Sequence, residues 1–92
     1  ADGLYVCPSK HIVKANGKEV VLTYKEFELL CLLISNKGTV FNRDQILQRI
    51  WGFEFDGENR TVDVHIRTLR TKLGECGALI ETVRGIGYKI GG

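Results

Sequence analysis

Between residues 60 and 73 apolar side chains fall at Val62, Ile66, Leu69 and Leu73. At about 3.6 residues per turn that spacing lines one narrow stripe of a helix. The pattern predicts a helix from about 59 to 73 with one core-facing seam. A second helix is predicted from about Arg43 to Trp51, with Ile46, Leu47, Ile50 and Trp51 on one side, a cap-like Asn42 and Gln45 at its start, and a stop at Gly52. A first helix, about Tyr24 to Asn36, opens on "TYKE", a Thr-x-x-Glu capping box formed by Thr23 and Glu26, and ends at the glycine of "NKG". Its residues Phe27, Leu29, Leu30, Leu32, Leu33 and Ile34 cover so much of the circumference that most of it must be buried.

The flanks read differently. "LYVCPSKHIVKANGKEVVLT" alternates apolar and polar residues in short runs around Asn16-Gly17, which predicts small antiparallel strands with a hairpin at that dipeptide. "TVF" at 39–41 supplies no more than a strand fragment. After the third helix "GECG" reads as a break, and "ALIETVRGIGYKI" is β-like on both sides of "RGIG", a closing hairpin. Strands, three helices and a hairpin make an α+β chain with one domain over residues 1–92. Helix two, a short connection, helix three and a terminal hairpin are the parts of a winged helix-turn-helix.

The outward side of the third helix sharpens this reading. It carries Arg60, Thr61, Val64, His65, Arg67, Thr68 and Thr71, where a merely solvated face would mix Glu with Lys. A major groove admits one helix and presents donors, acceptors and thymine methyls. Thr61, Val64, His65 and Thr68 are central enough to meet base edges, with Val64 suited to a thymine methyl. Arg60, Arg67 and Arg70 diverge toward the flanks, where phosphates run. Asp63, four residues before Arg67, is expected to orient that guanidinium. In the hairpin, Arg84 beside glycine can reach a minor groove, whose negative potential attracts arginine. Thr82 and Tyr88 can hydrogen-bond phosphates nearby, although a tyrosine in a closing hairpin is more often core.

Charge distribution agrees. Residues 1–59 hold seven Lys/Arg and eight Asp/Glu, whereas residues 60–92 hold six and three, so the basic excess sits with the third helix and hairpin. Apolar residues at 43% and charged residues at 26% are those of a globular chain, so a packed core is expected and disorder is not. Cys7, Cys31 and Cys76 are too few and too scattered for a disulfide framework, and Cys7-x-x-x-His11 lacks the second pair a zinc site needs. No metal and no cofactor are expected. "FELLCLLI" is too short to span a bilayer and is broken by Glu28, and no signal-like start is visible, so no membrane partner and a cytoplasmic location are expected. An enzyme would need a nucleophile beside an oriented base, and no spacing here suggests one; "GIGYKIGG" is not a dinucleotide fingerprint. The serious rival is a winged helix used for protein contact.

"NRTVDVHIRTLRTKL" followed by "IETVRGIGYKI", with "LTYKEFELLCLLISNKGTVFNRDQIL" and "IWG" before them, resembles the DNA-binding effector domain of the OmpR/PhoB family of bacterial two-component response regulators, over about residues 3 to 91. The resemblance implies a four-stranded N-terminal sheet, three helices and a hairpin wing. It implies transcription regulation through double-stranded DNA, with two copies head to tail on direct repeats. It also implies a receiver domain, absent from this chain, that a sensor kinase phosphorylates, and a loop between helices two and three (Phe53, Glu54, Phe55, Asp56, Gly57, Glu58) that can touch RNA polymerase. By motif position it assigns phosphate contacts to Trp51, Arg60, Arg67, Arg70, Thr82 and Tyr88, base reading to Thr61, Val64, His65 and Thr68, and minor-groove insertion to Arg84. Several family members carry a long basic residue where this chain has Thr68, and threonine cannot make arginine's bidentate guanine contact.

Overall fold

A computed structural model describes residues 3–52, 58 and 60–91 of the chain. Three strands open it: β1 (Leu4–Cys7), β2 (Ile12–Ala15) and β3 (Lys18–Glu19), an antiparallel sheet in that order. Asn16-Gly17 forms the predicted hairpin between β2 and β3. Both residues take positive φ, 52° and 85°, the combination a two-residue type I′ loop requires and Asn-Gly tolerates best. The four-stranded sheet implied by resemblance is not what the described residues form. Val20 N–H still reaches Val13 O, but the chain then leaves the ladder, and Thr23 takes up the extended conformation that caps the next helix.

Helix α1 (Tyr24–Ser35) starts on the expected capping box. Thr23 Oγ1 accepts from Glu26 N–H and Glu26 Oε1 accepts from Thr23 N–H. Two donors that the first turn would otherwise leave orphaned are satisfied reciprocally. Phe27, Leu29, Leu30 and Leu33 are buried, Leu32 and Ile34 half-buried. The helix ends at Ser35, with Asn36 as cap, two residues short of the glycine expected to stop it. β4 (Phe41–Asn42) leads directly into α2 (Arg43–Ile50), where Asn42 and Gln45 make a second reciprocal capping box.

Helix α3 (Arg60–Leu73) lays its seam into the core: Val62, Ile66, Leu69 and Leu73 are 0–2% exposed. Full burial of each such side chain contributes about 1.5–3 kcal/mol. The seam joins α1, α2 and the sheets in one cluster with Leu29, Leu30, Leu33 and Ile46. The expected break after α3 is a 3₁₀ helix, Gly74–Leu79, which buries Cys76. β5 (Ile80–Val83) and β6 (Gly87–Ile90) then form the closing hairpin, and β4 adds to its β6 edge, giving the order β4-β6-β5. The hairpin is thereby tied to the start of α2. No helix among the described residues is long and apolar enough to cross a membrane.

Candidate nucleic-acid interface

With its seam committed to the core, α3 leaves much of the opposite side open to solvent. Val64 is 54% exposed, Arg60, Arg67 and Thr71 are exposed, and Thr61, His65 and Thr68 are half-buried. Glu58, Arg60, Thr61, Val64 and His65 line a shallow concavity of about 350 Å³. The polar side chains on this face are oriented by the helix itself. His65 Nδ1 lies 2.9 Å from Thr61 O. A carbonyl only accepts, so Nδ1 carries a proton, and in the neutral tautomer Nε2 is the acceptor. Thr68 Oγ1 donates to Val64 O at 3.0 Å, and Thr71 Oγ1 to Arg67 O at 3.0 Å. These are the back-bonds that hydroxyl side chains make within a helix.

Trp51 caps α2 and meets the His65 ring edge-on, with centroids 4.8 Å apart at 80°. Lys25, from α1, donates to Ile50 O at 2.7 Å and sets its ammonium 5.9 Å from the Trp51 ring. A cation on the last carbonyls of α2 suits the negative end of that helix. Lys25 was not singled out from the sequence, because its partners lie a whole helix away and no local spacing signals them.

The hairpin turn Arg84-Gly85-Ile86 is closed by Ile86 N–H on Val83 O at 2.9 Å. Arg84 is exposed at its tip, and Ile86 beside it is 59% exposed. Behind the tip the side chains are tied to one another. Arg70 donates from Nε and Nη2 to Ile80 O, at 3.2 and 2.8 Å, and from Nη2 to Thr82 Oγ1 at 2.8 Å, with its guanidinium 5.7 Å from the Tyr88 ring. Arg70 thus clasps α3 to β5, and does not simply diverge toward a flank.

Asp63 also differs from expectation. Its Oδ1 accepts from Arg43 Nε at 2.9 Å and from the Tyr88 hydroxyl, so the carboxylate joins α3 to α2 and β6 and does not orient Arg67. Spacing along one helix named the nearest cation; the fold supplies one from another helix together with a phenol. Tyr88 is buried, as hairpin tyrosines usually are. Burial, then the hydrogen bond to Asp63, pushes its phenol above the ordinary range. The Asp63 charge raises Arg43 further above neutral pH. With its proton donated to Asp63, the Tyr88 hydroxyl has none to offer a phosphate. Thr82 is the opposite case: its oxygen accepts from Arg70, and its own proton remains to be donated outward.

Of the acidic loop expected between helices two and three, Phe53, Glu54, Phe55, Asp56 and Gly57 lie outside the described residues. Glu58 is exposed, 3.9 Å from Arg60 Nε, and its carbonyl accepts from Thr61 N–H at the start of α3. Cys7 is hydrogen-bonded to Ser9, and His11 stacks on Phe27 with centroids 4.5 Å apart. Burial raises the thiol of the half-buried Cys31.

Two helices around a capped connection, an uncovered third helix and a hairpin anchored beside it define a winged helix-turn-helix domain of the DNA-binding class. Residues 17–90 match the family model described as "Transcriptional regulatory protein, C terminal", and the chain belongs to that family, the effector domains of OmpR/PhoB-type response regulators. It is 47% identical over 87 residues to the regulatory protein VanRB of Enterococcus faecalis, covering 95% of this chain and 39% of VanRB. The chain thus spans about two fifths of that relative. Among solved structures, the DNA-binding domain of Bacillus subtilis CssR superposes with a TM-score of 0.85 at 39% identity, covering 95% of this chain and 98% of that one. The Klebsiella pneumoniae RstA DNA-binding domain, solved in complex with the RstA box, does so with a TM-score of 0.84 at 34% identity, covering 97% and 91%. The chain is a transcriptional response-regulator DNA-binding domain, and its family is not one of enzymes.

Proposed function

We propose that α3 enters the major groove of double-stranded DNA while Arg84 of the wing enters an adjoining minor groove. The observation that carries this is the division of α3 into a fully buried seam and an opposite face whose side chains are exposed or half-buried, with Val64 54% exposed and only Trp51 packed at its His65 edge. Thr61, Val64, His65 and Thr68 read base edges. Arg60, Arg67, Thr82 and Trp51 contact phosphates, and Arg70 reaches one only through Nη1, the nitrogen its internal bonds leave. Tyr88 serves as a wing anchor. The domain binds direct repeats as two copies, head to tail, in the cytoplasm. A receiver domain preceding it, phosphorylated by a sensor kinase, promotes that pairing, and the loop from Phe53 to Glu58 contacts RNA polymerase. The coverage of only 39% of VanRB and the RstA complex with DNA support this reading.

Salt decides between DNA and a protein partner. Counterion release makes log affinity fall with log salt at about 0.9 per neutralised phosphate, and Arg67→Ala or Arg84→Ala should each lower the slope by about one unit. Binding to duplex DNA that is flat with salt, or unchanged slopes in both variants, would overturn the proposal in favour of a protein-docking winged helix.

A further inference from the structure

The hydrogen-bond directions on the outward face of α3 fix more than its destination. Thr68 Oγ1 has given its proton to Val64 O, so toward the groove it offers lone pairs alone. His65 donates from Nδ1 to Thr61 O, so in the neutral tautomer that this bond selects it offers the lone pair of Nε2. At the rim of the same concavity the Glu58 carboxylate, which accepts only, lies 3.9 Å from the Arg60 guanidinium, which donates only. Thr61 alone among the polar groups of this strip has a hydroxyl proton with no partner among the described residues. Next to His65 and one turn before Thr68, the exposed Val64 supplies methyl groups. Between the flanking Arg60 and Arg67, the central side chains Thr61, Val64, His65 and Thr68 are therefore poor in donors and rich in acceptors.

On the floor of a major groove the donors are the exocyclic amino groups, N6 of adenine and N4 of cytosine, while guanine offers the acceptors N7 and O6. Acceptors facing acceptors leave both unsatisfied, a loss larger than one missing bond. Resting on the groove placement proposed above, we infer that the centre of the operator is read through its amino groups: Thr68 Oγ1 and His65 Nε2 accept from adenine N6 or cytosine N4 on neighbouring base pairs, with Val64 on a thymine methyl beside them. Guanine N7 and O6 are not contacted by these two side chains. Residues 65 and 68 are one turn apart on a single face, with a rise of about 4.5 Å. Against about 3.4 Å between stacked base pairs, that suits adjacent steps for a helix tilted in the groove.

The test begins with duplexes selected from a randomised pool by the 92-residue chain, followed by an atom-by-atom scan of the selected site. Each adenine is replaced by purine and each cytosine by 2-pyrimidinone, removing one amino group, and each purine by its 7-deaza analogue, removing N7. Amino deletion at two neighbouring central steps should weaken binding about fivefold each, the size of one hydrogen bond, and 7-deaza replacement there should change little. Thr68→Val, which keeps the shape but has no lone pair, should lose sensitivity at one of the two steps only, and Thr68→Ser should restore it. Far-ultraviolet circular dichroism and the melting temperature of each variant exclude unfolding. Losses that follow N7 and not the amino groups, or a Thr68→Val protein that keeps both sensitivities, would overturn the inference while leaving groove binding intact. A pool that yields no preferred sequence would overturn the groove placement itself.

Discussion

Glu26 is 3% exposed, and one of its oxygens serves two ends of the chain. Oε1 accepts from Thr23 N–H at 2.9 Å, closing the α1 capping box, and from Lys72 Nζ at 2.8 Å, joining α1 to the last turn of α3. Burial by itself would raise this carboxyl; the Lys72 hydrogen bond, the Thr23 N–H and the Lys72 charge outweigh it and hold the group below the ordinary carboxylate range. On acidification the unfolded chain therefore takes up the proton first. The stabilisation is fully present above the unfolded carboxyl's pKa and is lost as pH falls through the folded one. Glu26→Gln should cost roughly 1–3 kcal/mol at neutral pH in urea unfolding. The gap between the two proteins should narrow steadily below about pH 4. A gap equally wide at pH 7 and pH 3 would mean the ionised pair contributes nothing. The sequence displayed half of this residue's role: Thr-x-x-Glu is a local signal, whereas Lys72 lies 46 residues on. Asp63 teaches the same lesson, since i, i+4 spacing pointed to Arg67 and the fold delivered Arg43 and Tyr88.

At the scale of elements, periodicity was the dependable signal because burial of a stripe is decided by one helix's own spacing. The four seam residues named from the pattern are the four that α3 buries, and both capping boxes form where Thr23 and Asn42 precede a Glu or Gln at the third helical position. What escaped were features set by several elements together: the 3₁₀ helix Gly74–Leu79 that begins at "GECG", and the ladder that stops at three strands. The face proposed to meet DNA was legible as residue types, but the direction of each hydrogen bond on it was not, since Thr68 and His65 choose backbone acceptors only once the helix exists. Seam and outer face should separate cleanly under mutation. Leu69→Ala removes a fully buried side chain and should cost about 2–5 kcal/mol of stability. Measured well below its melting temperature, its affinity for DNA and the salt dependence of that affinity should match the parent. A folded Leu69→Ala protein with weakened binding would show that the seam takes part in recognition directly.

Across the whole molecule, the wing and the recognition helix must hold a fixed relation if one is to serve the minor groove and the other the major. Three links provide it: the Arg43–Asp63–Tyr88 cluster, the Arg70 clasp onto Ile80 and Thr82, and the short ladder in which Phe41 faces Tyr88 and Asn42 faces Gly87. Gly87 is needed there for space. A Cβ added to it would lie 2.0 Å from Phe41 O and 2.8 Å from Asn42 Cα, backbone atoms that cannot step aside without breaking the ladder. Gly87→Ala should therefore push β6 off β4, at about 1–3 kcal/mol for the overpacking. Because the same strands carry Arg84, the wing's tip should no longer be held where its groove runs. The salt slope should drop by about the one unit expected for Arg84→Ala, and Arg84→Ala added to Gly87→Ala should lower it no further, the non-additivity of two changes acting on one contact. Preference among sequences, set by α3, should survive. Should Gly87→Ala keep the parent slope while losing stability, the wing is positioned by the Asp63 cluster and the Arg70 clasp without the ladder; should it lose sequence preference as well, wing and helix are not separable readers.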